Sequence, residues 1–399
     1  MEQSLQITDT DWLSRLSEMT APLPVVNDER LLSTLQKIVG GERISTDRGK
    51  MLFENCTLTG LASLANMIKS ARFGDYIFFN ENLHINSTNI CSLACRFCAF
   101  RKGPRSPDSY ELSATDFISR IAPFNDHIDE VHIVGGLHPK WTLENYTEIY
   151  QAIKNEFPTV SIKSLTAIEV KHLSSRSGLS IDETLSSLKD SGLNSLPGGG
   201  AEILVDSIRN RICHGKETSD EYLSIHGKAH SLGIPTNCTM LFGTIESIGD
   251  RMEHLDRLRL QQDISGGFQC FVPYPFLPDN SRLPEANIAS ANEVIRMISI
   301  SRIMLDNISH IKAYRMNIGD KIASIAINSG ADDIDGTVGH EEIMHVAGST
   351  TRLDYDKNEL SRLVFSSGST PVRRNSTYSI FEVMERLSLV QRLILPVAN

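Results

Sequence analysis

Eight short runs of apolar and β-branched residues, separated by longer amphipathic stretches, constrain the fold of this chain more than any other feature. The runs begin at Leu83, Val131, Val160, Leu193, Pro235, Gly267, Ile311 and Asp332. Such runs are typical of buried parallel strands, and the stretches between them repeat apolar residues at the spacing of a helix face. Eight alternations predict an α/β fold, a (β/α)8 TIM-type barrel. A doubly wound open sheet is the structural alternative.

The segments on either side of these alternations have a different character. Residues 28–75 repeat apolar residues every three or four positions, which predicts helices. The segment after Gly339 has a helix-then-polar pattern. We therefore predict an N-terminal helical extension over 1–78, the barrel over 79–338 and a C-terminal cap over 339–399.

The overall charge limits the classes of partner that the chain is expected to bind. Acidic residues number 49 and basic residues 39, so the formal net charge is -10. Such a chain lacks the general basic surface that neutralises phosphates, and we expect no nucleic-acid partner.

The N-terminus has neither a basic start nor an apolar run, and no stretch approaches the roughly 18 apolar residues of a membrane span. We expect a cytoplasmic protein with no membrane insertion.

Three of the seven cysteines form a unit. Cys91, Cys95 and Cys98 lie in a Cys-x3-Cys-x2-Cys motif directly after the first predicted strand. The other four, for which we expect core or incidental roles, are Cys56, Cys213, Cys238 and Cys270. An odd number of cysteines in a chain without a secretory signal argues against a disulfide framework.

The position and spacing of the motif predict a metal centre. Loops after the strands of a parallel barrel build its active site, and thiolates select zinc, copper(I) or iron-sulfur clusters. Structural zinc sites are normally closed by four ligands, and a second Cys-x2-Cys pair is missing. Three thiolates on a four-iron cluster would leave one iron open to a small molecule. A zinc-binding module, a metal-independent hydrolase and a chance cluster of buried cysteines are the alternatives, the last opposed by polar Ser92 and Arg96.

The motif resembles the hallmark of the radical S-adenosylmethionine superfamily, Cys-x3-Cys-x-aromatic-Cys, with Phe97 at the aromatic position. The resemblance implies a [4Fe-4S] cluster held by the three cysteines. It also implies S-adenosylmethionine as co-substrate, chelated by the open iron and cleaved to methionine and a 5'-deoxyadenosyl radical. The barrel fold of that superfamily agrees with the strand pattern.

Further segments fit the same resemblance. Gly135 and Gly136 occupy the place of a Gly-Gly-Glu motif that holds the methionine amino group, although the third position here is leucine. Glu202 and Arg209, after a run of three glycines, would bind the ribose hydroxyls and the carboxylate, or else form an exposed i, i+7 pair. The segment with Gly243 and Glu246 resembles one that lines the adenine.

Within the superfamily the chain is similar to the menaquinone and deazaflavin branch. The segments that carry this similarity are HINSTN, EVHIVGGLHP, SLPGGGAEI and TNCTMLFGTIES. IKSLTAIEV, GADDIDGTV, HEEIMHVAGST and GGFQCFVPYPFLPDN resemble the aminofutalosine synthases more than the dehypoxanthine futalosine cyclases or the tyrosine-using FO synthase subunits. Ser87, in place of a usual proline, and Arg315 with Asn317 are departures.

That resemblance implies a substrate and a set of candidate residues. The substrate would be 3-[(1-carboxyvinyl)oxy]benzoate, converted with S-adenosylmethionine to aminofutalosine, methionine and bicarbonate, with a flavodoxin- or ferredoxin-type electron donor. A substrate with two carboxylates needs hydrogen-bond donors at the barrel mouth. Five polar residues at or near predicted strand exits, about half of which we expect to be bystanders, are His84, Asn86, His138, Arg282 and Arg315. Glu169, at the third strand exit, is a further candidate for polar contacts to the ligand.

Overall fold

The computed structural model describes residues 11–19, 28–337 and 339–386. The ten N-terminal residues used above to predict the location lie outside these ranges, as do parts of the predicted helical extension and residues 387–399 of the predicted cap. The three-part division of the chain stays a prediction. In the described part of the chain, every helix is too short or too polar to cross a bilayer.

Eight parallel strands form the centre of the molecule. They are β1 Tyr76–Asn86, β2 Glu130–Val134, β3 Ser161–Ser164, β4 Leu193–Ser195, β5 Thr236–Phe242, β6 Phe268–Pro275, β7 His310–Ala313 and β8 Asp333–Thr337. Their order is β4-β3-β2-β1-β8-β7-β6-β5, so each strand lies beside its neighbours in sequence. A doubly wound sheet would reverse direction at an interior switch point. The predicted barrel fold is therefore confirmed.

The barrel is nearly closed between β4 and β5. Only an isolated bridge between Leu196 and Thr236 joins these strands in the described residues. There Asn237 donates a backbone hydrogen bond to the carbonyl of Leu196 at 3.0 Å. β4 has three residues, which leaves little edge for a longer ladder.

Helices cover the outside of the barrel and precede it. The helices are α1 Trp12–Glu18, α2 Glu29–Val39, α3 Thr46–Asn55, α4 Leu58–Phe73, α5 Ala114–Ile121, α6 Leu143–Glu156, α7 Ala167–Ser177, α8 Ile181–Asp190, α9 Asp206–Ile212, α10 Ser219–Ser231, α11 Ile248–Ser265, α12 Ala291–Met304, α13 Arg315–Ala326, α14 Ile343–Val346 and α15 Lys357–Ser366, with a 3-10 turn at Ala122–Phe124. Many begin where a hydroxyl or carboxylate accepts from free backbone N–H groups. In α8, Ser180 and Glu183 satisfy each other's backbone amides as a capping box.

Two further strands in the C-terminal region were not predicted. β9, Thr370–Arg374, pairs in parallel with the N-terminal end of β1, and β10, Phe381–Val383, pairs antiparallel with β9. β1 has eleven residues whereas β2 has five, so the start of β1 has an edge that β2 does not cover. β9 occupies that edge. Its own sequence, TPVRR, has too few apolar residues to indicate a strand.

The interior of the barrel contains buried ion pairs that join neighbouring strands. Lys163 on β3 lies 2.8 Å from Glu130 on β2, and both side chains are almost fully buried. Asp333 on β8 pairs with Lys312 and, at 2.6 Å, with Arg374 of β9. Burial alone would raise the pKa of Glu130, but the charges of Lys163 and Arg374 outweigh it and lower that pKa below its ordinary value. The unpredicted β9 thus supplies a charge to the barrel interior.

We expect Lys163→Met to lower the free energy of unfolding by about 3–5 kcal/mol, because it leaves the Glu130 carboxylate buried without its nearest cation. The double variant Glu130→Gln/Lys163→Met should lose less, because it removes both charges. Urea denaturation followed by circular dichroism measures both losses. A double variant less stable than Lys163→Met would contradict this account of the pair.

Candidate active site

A pocket of ≈ 290 Å³ opens at the C-terminal ends of the barrel strands. Its wall is formed by the loop after β1, by the exits of the other strands and by α14. Seven of the residues predicted from the sequence to hold or contact a cofactor line it. They are Cys91, Cys95, Phe97, Cys98, Gly135, Gly136 and Glu202. This is the position at which TIM-type barrels carry their active sites.

The cysteine loop is fixed to the barrel mouth from several sides. Ser92 donates its backbone N–H to Leu137 O at 2.9 Å, and Arg96 donates its N–H to Ile212 O at 2.7 Å. The Arg282 guanidinium donates to the carbonyls of Ala94 and Cys95 at 2.8 and 3.1 Å. Arg282, a predicted substrate ligand, therefore positions this loop and does not line the pocket.

The three thiols of this loop share one pocket wall. All three are free and half-buried. Burial raises the pKa of the Cys95 thiol to about 12, and the pKa of Cys98 is raised for the same reason. In the described residues, no three His, Cys, Asp or Glu side chains are already gathered as a metal site. A thiolate there needs a positive partner, which a bound metal centre provides.

The glycine pair after β2 lies against the exit of β1. A Cβ atom on Gly136 would stand 2.3 Å from the carbonyl oxygen of Ile90, and one on Gly135 would stand 2.2 Å from Ser87 Oγ. Gly136 also donates its N–H to Thr88 O at 2.7 Å. The two glycines thus permit a close approach between the β2 exit and the start of the cysteine loop, and both line the pocket.

Glu169 connects the glycine pair to α7. Its carboxylate accepts hydrogen bonds from Gly135 N at 2.9 Å, from Thr166 N at 2.7 Å and from Thr166 Oγ1 at 2.6 Å. Burial raises the pKa of Glu169 to about 7, although these hydrogen bonds oppose the shift. Glu169 lines the pocket but already has partners for both carboxylate oxygens.

The run of three glycines leads to an ion pair in the pocket wall. Glu202 has a left-handed backbone, with φ 46, and its carboxylate pairs with Lys216. Arg209 lies behind this wall, where its guanidinium donates to Glu217 O at 2.6 Å and to Gly200 O at 3.3 Å. Glu202 and Lys216 line the pocket, whereas Arg209 does not.

The turn after β5 is held in place by hydrogen bonds to Glu246. Its carboxylate accepts hydrogen bonds from Gly243 N at 2.7 Å, Thr244 N at 2.9 Å and Arg251 Nε at 2.8 Å. Neither Gly243 nor Glu246 lines the pocket. Their contacts fix the path of the chain beside it.

The remaining candidates at strand exits divide into one pocket residue and three residues outside it. His84 lines the pocket. Asn86 donates to Val134 O at 3.1 Å and accepts from Glu342 N at 3.3 Å. His138 Nε2 lies 2.8 Å from the Glu111 carboxylate. Arg315 donates to Asp320 at 2.9 Å and to Arg352 O at 2.8 Å.

Several pocket residues were missed by the sequence analysis. They are His132, Thr239, Tyr274, Tyr314, Lys216, Glu341 and Met344. Strand alternation could have found His132, because it pairs in register with His84. Glu341 and Met344 reach the pocket from the C-terminal segment, and nothing local in the sequence indicates that position.

The donor set of the pocket fits a thiolate-bound cluster that leaves room for a small co-substrate. Three soft sulfur ligands stand on one short loop beside an open pocket, and the cation Lys216 lies near Cys95. Next to them, glycine backbone and the Glu202 carboxylate form the wall. The residues present therefore suit both groups that the cysteine motif implies.

Comparisons with known proteins agree with this geometry. A model described as the radical SAM superfamily matches residues 85–258, and one described as the CofH/MqnC C-terminal region matches residues 265–387. The solved structure of methylornithine synthase (PylB) covers 85% of this chain and 97% of its own, with a TM-score of 0.68 and 17% identity. That likeness concerns the fold alone.

Curated relatives match along most of the chain. The aminodeoxyfutalosine synthase of Thermus thermophilus is 35% identical over 91% of this chain and 99% of its own length. The 5-amino-6-(D-ribitylamino)uracil--L-tyrosine 4-hydroxyphenyl transferase of Methanothermobacter thermautotrophicus is 38% identical over 82% and 90%. The cyclic dehypoxanthine futalosine synthase of Streptomyces coelicolor is 33% identical over 86% and 87%. The chain therefore belongs to the radical S-adenosylmethionine superfamily, whose enzymes use a [4Fe-4S] cluster and S-adenosylmethionine.

Proposed function

We propose that this chain is an aminofutalosine (aminodeoxyfutalosine) synthase of menaquinone biosynthesis. The reaction joins S-adenosylmethionine to 3-[(1-carboxyvinyl)oxy]benzoate and gives aminofutalosine, methionine and bicarbonate. The observation that carries the proposal is the match to the Thermus synthase, which spans 99% of that enzyme and 91% of this chain. A second synthase, from Streptomyces coelicolor, is 35% identical over 88% of this chain.

In this proposal the cysteine loop holds the cluster through Cys91, Cys95 and Cys98. When bound, the cluster and S-adenosylmethionine supply the adenosyl radical that adds to the enol-ether double bond. An electron donor of the flavodoxin or ferredoxin type would reduce the enzyme. The protein supplies the binding, orientation and exclusion of water that such chemistry requires.

The residues proposed from the sequence for the co-substrate now fall into two groups. Those that line the pocket and can contact S-adenosylmethionine are Phe97, Gly135, Gly136 and Glu202. Those that lie behind the wall and position its backbone are Arg209, Gly243 and Glu246. Glu169 lines the pocket, but we assign it a positioning role, because its carboxylate orients the N–H of Gly135 and the N-terminus of α7.

The C-terminal segment helps to exclude water from the pocket. Ile343, Met344 and Ala347 line it with apolar atoms. The segment is held at the barrel mouth by Ser349, which donates to Met316 O, and by Asn280, which donates to Val346 O at 2.8 Å. A radical is protected from quenching when apolar groups close the site around it.

The decisive assay is anaerobic turnover with identification of the product by mass. After reconstitution with iron and sulfide and reduction by dithionite, the protein should convert 3-[(1-carboxyvinyl)oxy]benzoate to aminofutalosine. Cys98→Ala should abolish turnover, because it removes one proposed cluster ligand, whereas Cys56→Ala, a buried cysteine outside the pocket, should retain it. Cyclisation of dehypoxanthine futalosine, or transfer from tyrosine, in place of aminofutalosine formation would contradict the proposal.

A glycine substitution tests the positioning of the cysteine loop. Gly136→Ala places a methyl group against Ile90 O and Cys91 Cβ, so we expect it to displace the loop and lower the iron bound after reconstitution by more than half. Gly103→Ala, in open space further along the same loop, is the matched control and should bind as much iron as the wild type. Equal iron content in the two variants would show that the close approach does not position the ligands.

A further inference from the structure

The deep part of the pocket is formed by two histidines on neighbouring strands. His84 on β1 and His132 on β2 are register partners, and both line the pocket. Their ring centroids lie 4.3 Å apart. Each precedes the C-terminal end of its strand by two residues, whereas the cysteine loop begins beyond that end. The pair therefore lies at the opposite depth of the pocket from the proposed cluster ligands.

His84 has an unsatisfied ring nitrogen in this position. The side chain is 4% exposed, yet its Nε2 atom has no hydrogen-bond partner. A buried polar atom without a partner is costly, so its presence on a pocket wall points to a ligand that satisfies it. Burial lowers the pKa of His84, partly opposed by the Glu341 carboxylate, and a neutral imidazole has one ring nitrogen with which it can donate a hydrogen bond.

The charged groups elsewhere in the pocket already have partners. Lys216 pairs with Glu202, and Arg101 donates to the carbonyl of Cys91 at 3.3 Å. Near His84, the carboxylates of Glu341 and Glu130 raise its pKa, and the cations Lys163 and Lys312 lower it by smaller amounts. Lys163 and Lys312 are themselves paired with Glu130 and Asp333, so an anionic group in the deep part of the pocket would be held by the imidazole groups and not by a free cation.

The two ends of the proposed substrate have different chemical fates. The enol-ether end reacts with the adenosyl group and must lie near the cysteine loop. The carboxylate on the benzene ring is unchanged by the reaction, and a fixed anchor can hold it throughout. Tyr274 and Tyr314, whose rings meet edge-to-face at 5.0 Å, line the same pocket and can flank the ring between the two ends.

We infer that His84 and His132 form the subsite for the aryl carboxylate of the substrate. This inference rests on the proposed function and deepens it. The pair would act as the specificity element for a benzoate, since a substrate without the ring carboxylate leaves the His84 nitrogen unsatisfied. Rejection of an analogue that lacks one hydrogen-bonding group is strong when the site was built to pair with that group.

Variants of His84 and a matched analogue test the assignment. In the reconstituted holoenzyme, His84→Leu should raise the KM for 3-[(1-carboxyvinyl)oxy]benzoate by about 10- to 100-fold, the loss expected for a hydrogen bond to a charged group. His84→Gln retains an N–H donor and should recover part of that loss. With (1-carboxyvinyl)oxybenzene, which lacks the ring carboxylate, wild type and His84→Leu should have the same KM.

Two controls separate binding from structure. His226→Gln replaces another buried histidine whose Nε2 has no partner but which lies outside the pocket, and it should keep the wild-type KM. Calorimetric titration of the oxidised holoenzyme with the substrate measures affinity without turnover. The Kd of His84→Leu for the substrate should be higher than that of the wild type by the same factor, about 10- to 100-fold.

The outcomes are distinguishable. Two results together support both the proposed function and the subsite. The wild type makes aminofutalosine, and the rise in KM caused by His84→Leu disappears with the analogue. The subsite alone is overturned if the wild type makes aminofutalosine but His84→Leu binds the substrate with unchanged affinity. It is also overturned if the KM of His84→Leu rises equally for the substrate and the analogue. A wild-type enzyme that makes no aminofutalosine overturns the proposed function and, with it, this inference.

Discussion

The close contact between the exits of β1 and β2 is the constraint on which the site depends. Gly136 approaches the Ile90 carbonyl so closely that a single methyl group would overlap it. Because Cys91 follows Ile90 directly, this contact determines where the cysteine loop begins. The same β2 exit carries Gly135, whose N–H binds Glu169, so the position of the loop is coupled to α7. A parallel barrel brings these exits together, and glycine allows them to touch.

Below the pocket, the barrel interior is stabilised in a different way. Its ion pairs, among them Glu130 with Lys163 and Asp333 with Lys312 and Arg374, are closed off from water. Such pairs contribute little net stability compared with apolar packing, but each member becomes costly when its partner is removed. They also surround the deep end of the pocket with charge that is already neutralised. The pocket can therefore discriminate between ligands through a few uncharged donors.

The sequence predicted the barrel well because hydrophobic periodicity reports burial directly. Each of the eight predicted runs overlaps one strand of the barrel, in the expected order, although β1 begins at Tyr76, seven residues before its predicted run. β9 was missed because it depends on the uncovered edge of β1, and that edge is a property of the assembled sheet. The cysteines, singled out by their spacing, and the glycine pair, singled out by the resemblance, all line the pocket, and their roles there stay predictions. For Arg209 and Glu246, loop geometry decides whether a side chain enters the pocket or supports it from behind, and a motif does not encode that direction. Met344 shows the same limit, since tertiary proximity alone brings it to the site.

The proposed reaction determines the fate of the adenosyl group, which enters the product and is not used to abstract hydrogen. Turnover with S-adenosylmethionine labelled with carbon-13 in the ribose, followed by mass spectrometry, measures that fate. We predict that the label appears in aminofutalosine in an amount equal to the methionine formed. Release of the label as 5'-deoxyadenosine in an amount equal to the methionine, with none in a joined product, would contradict it.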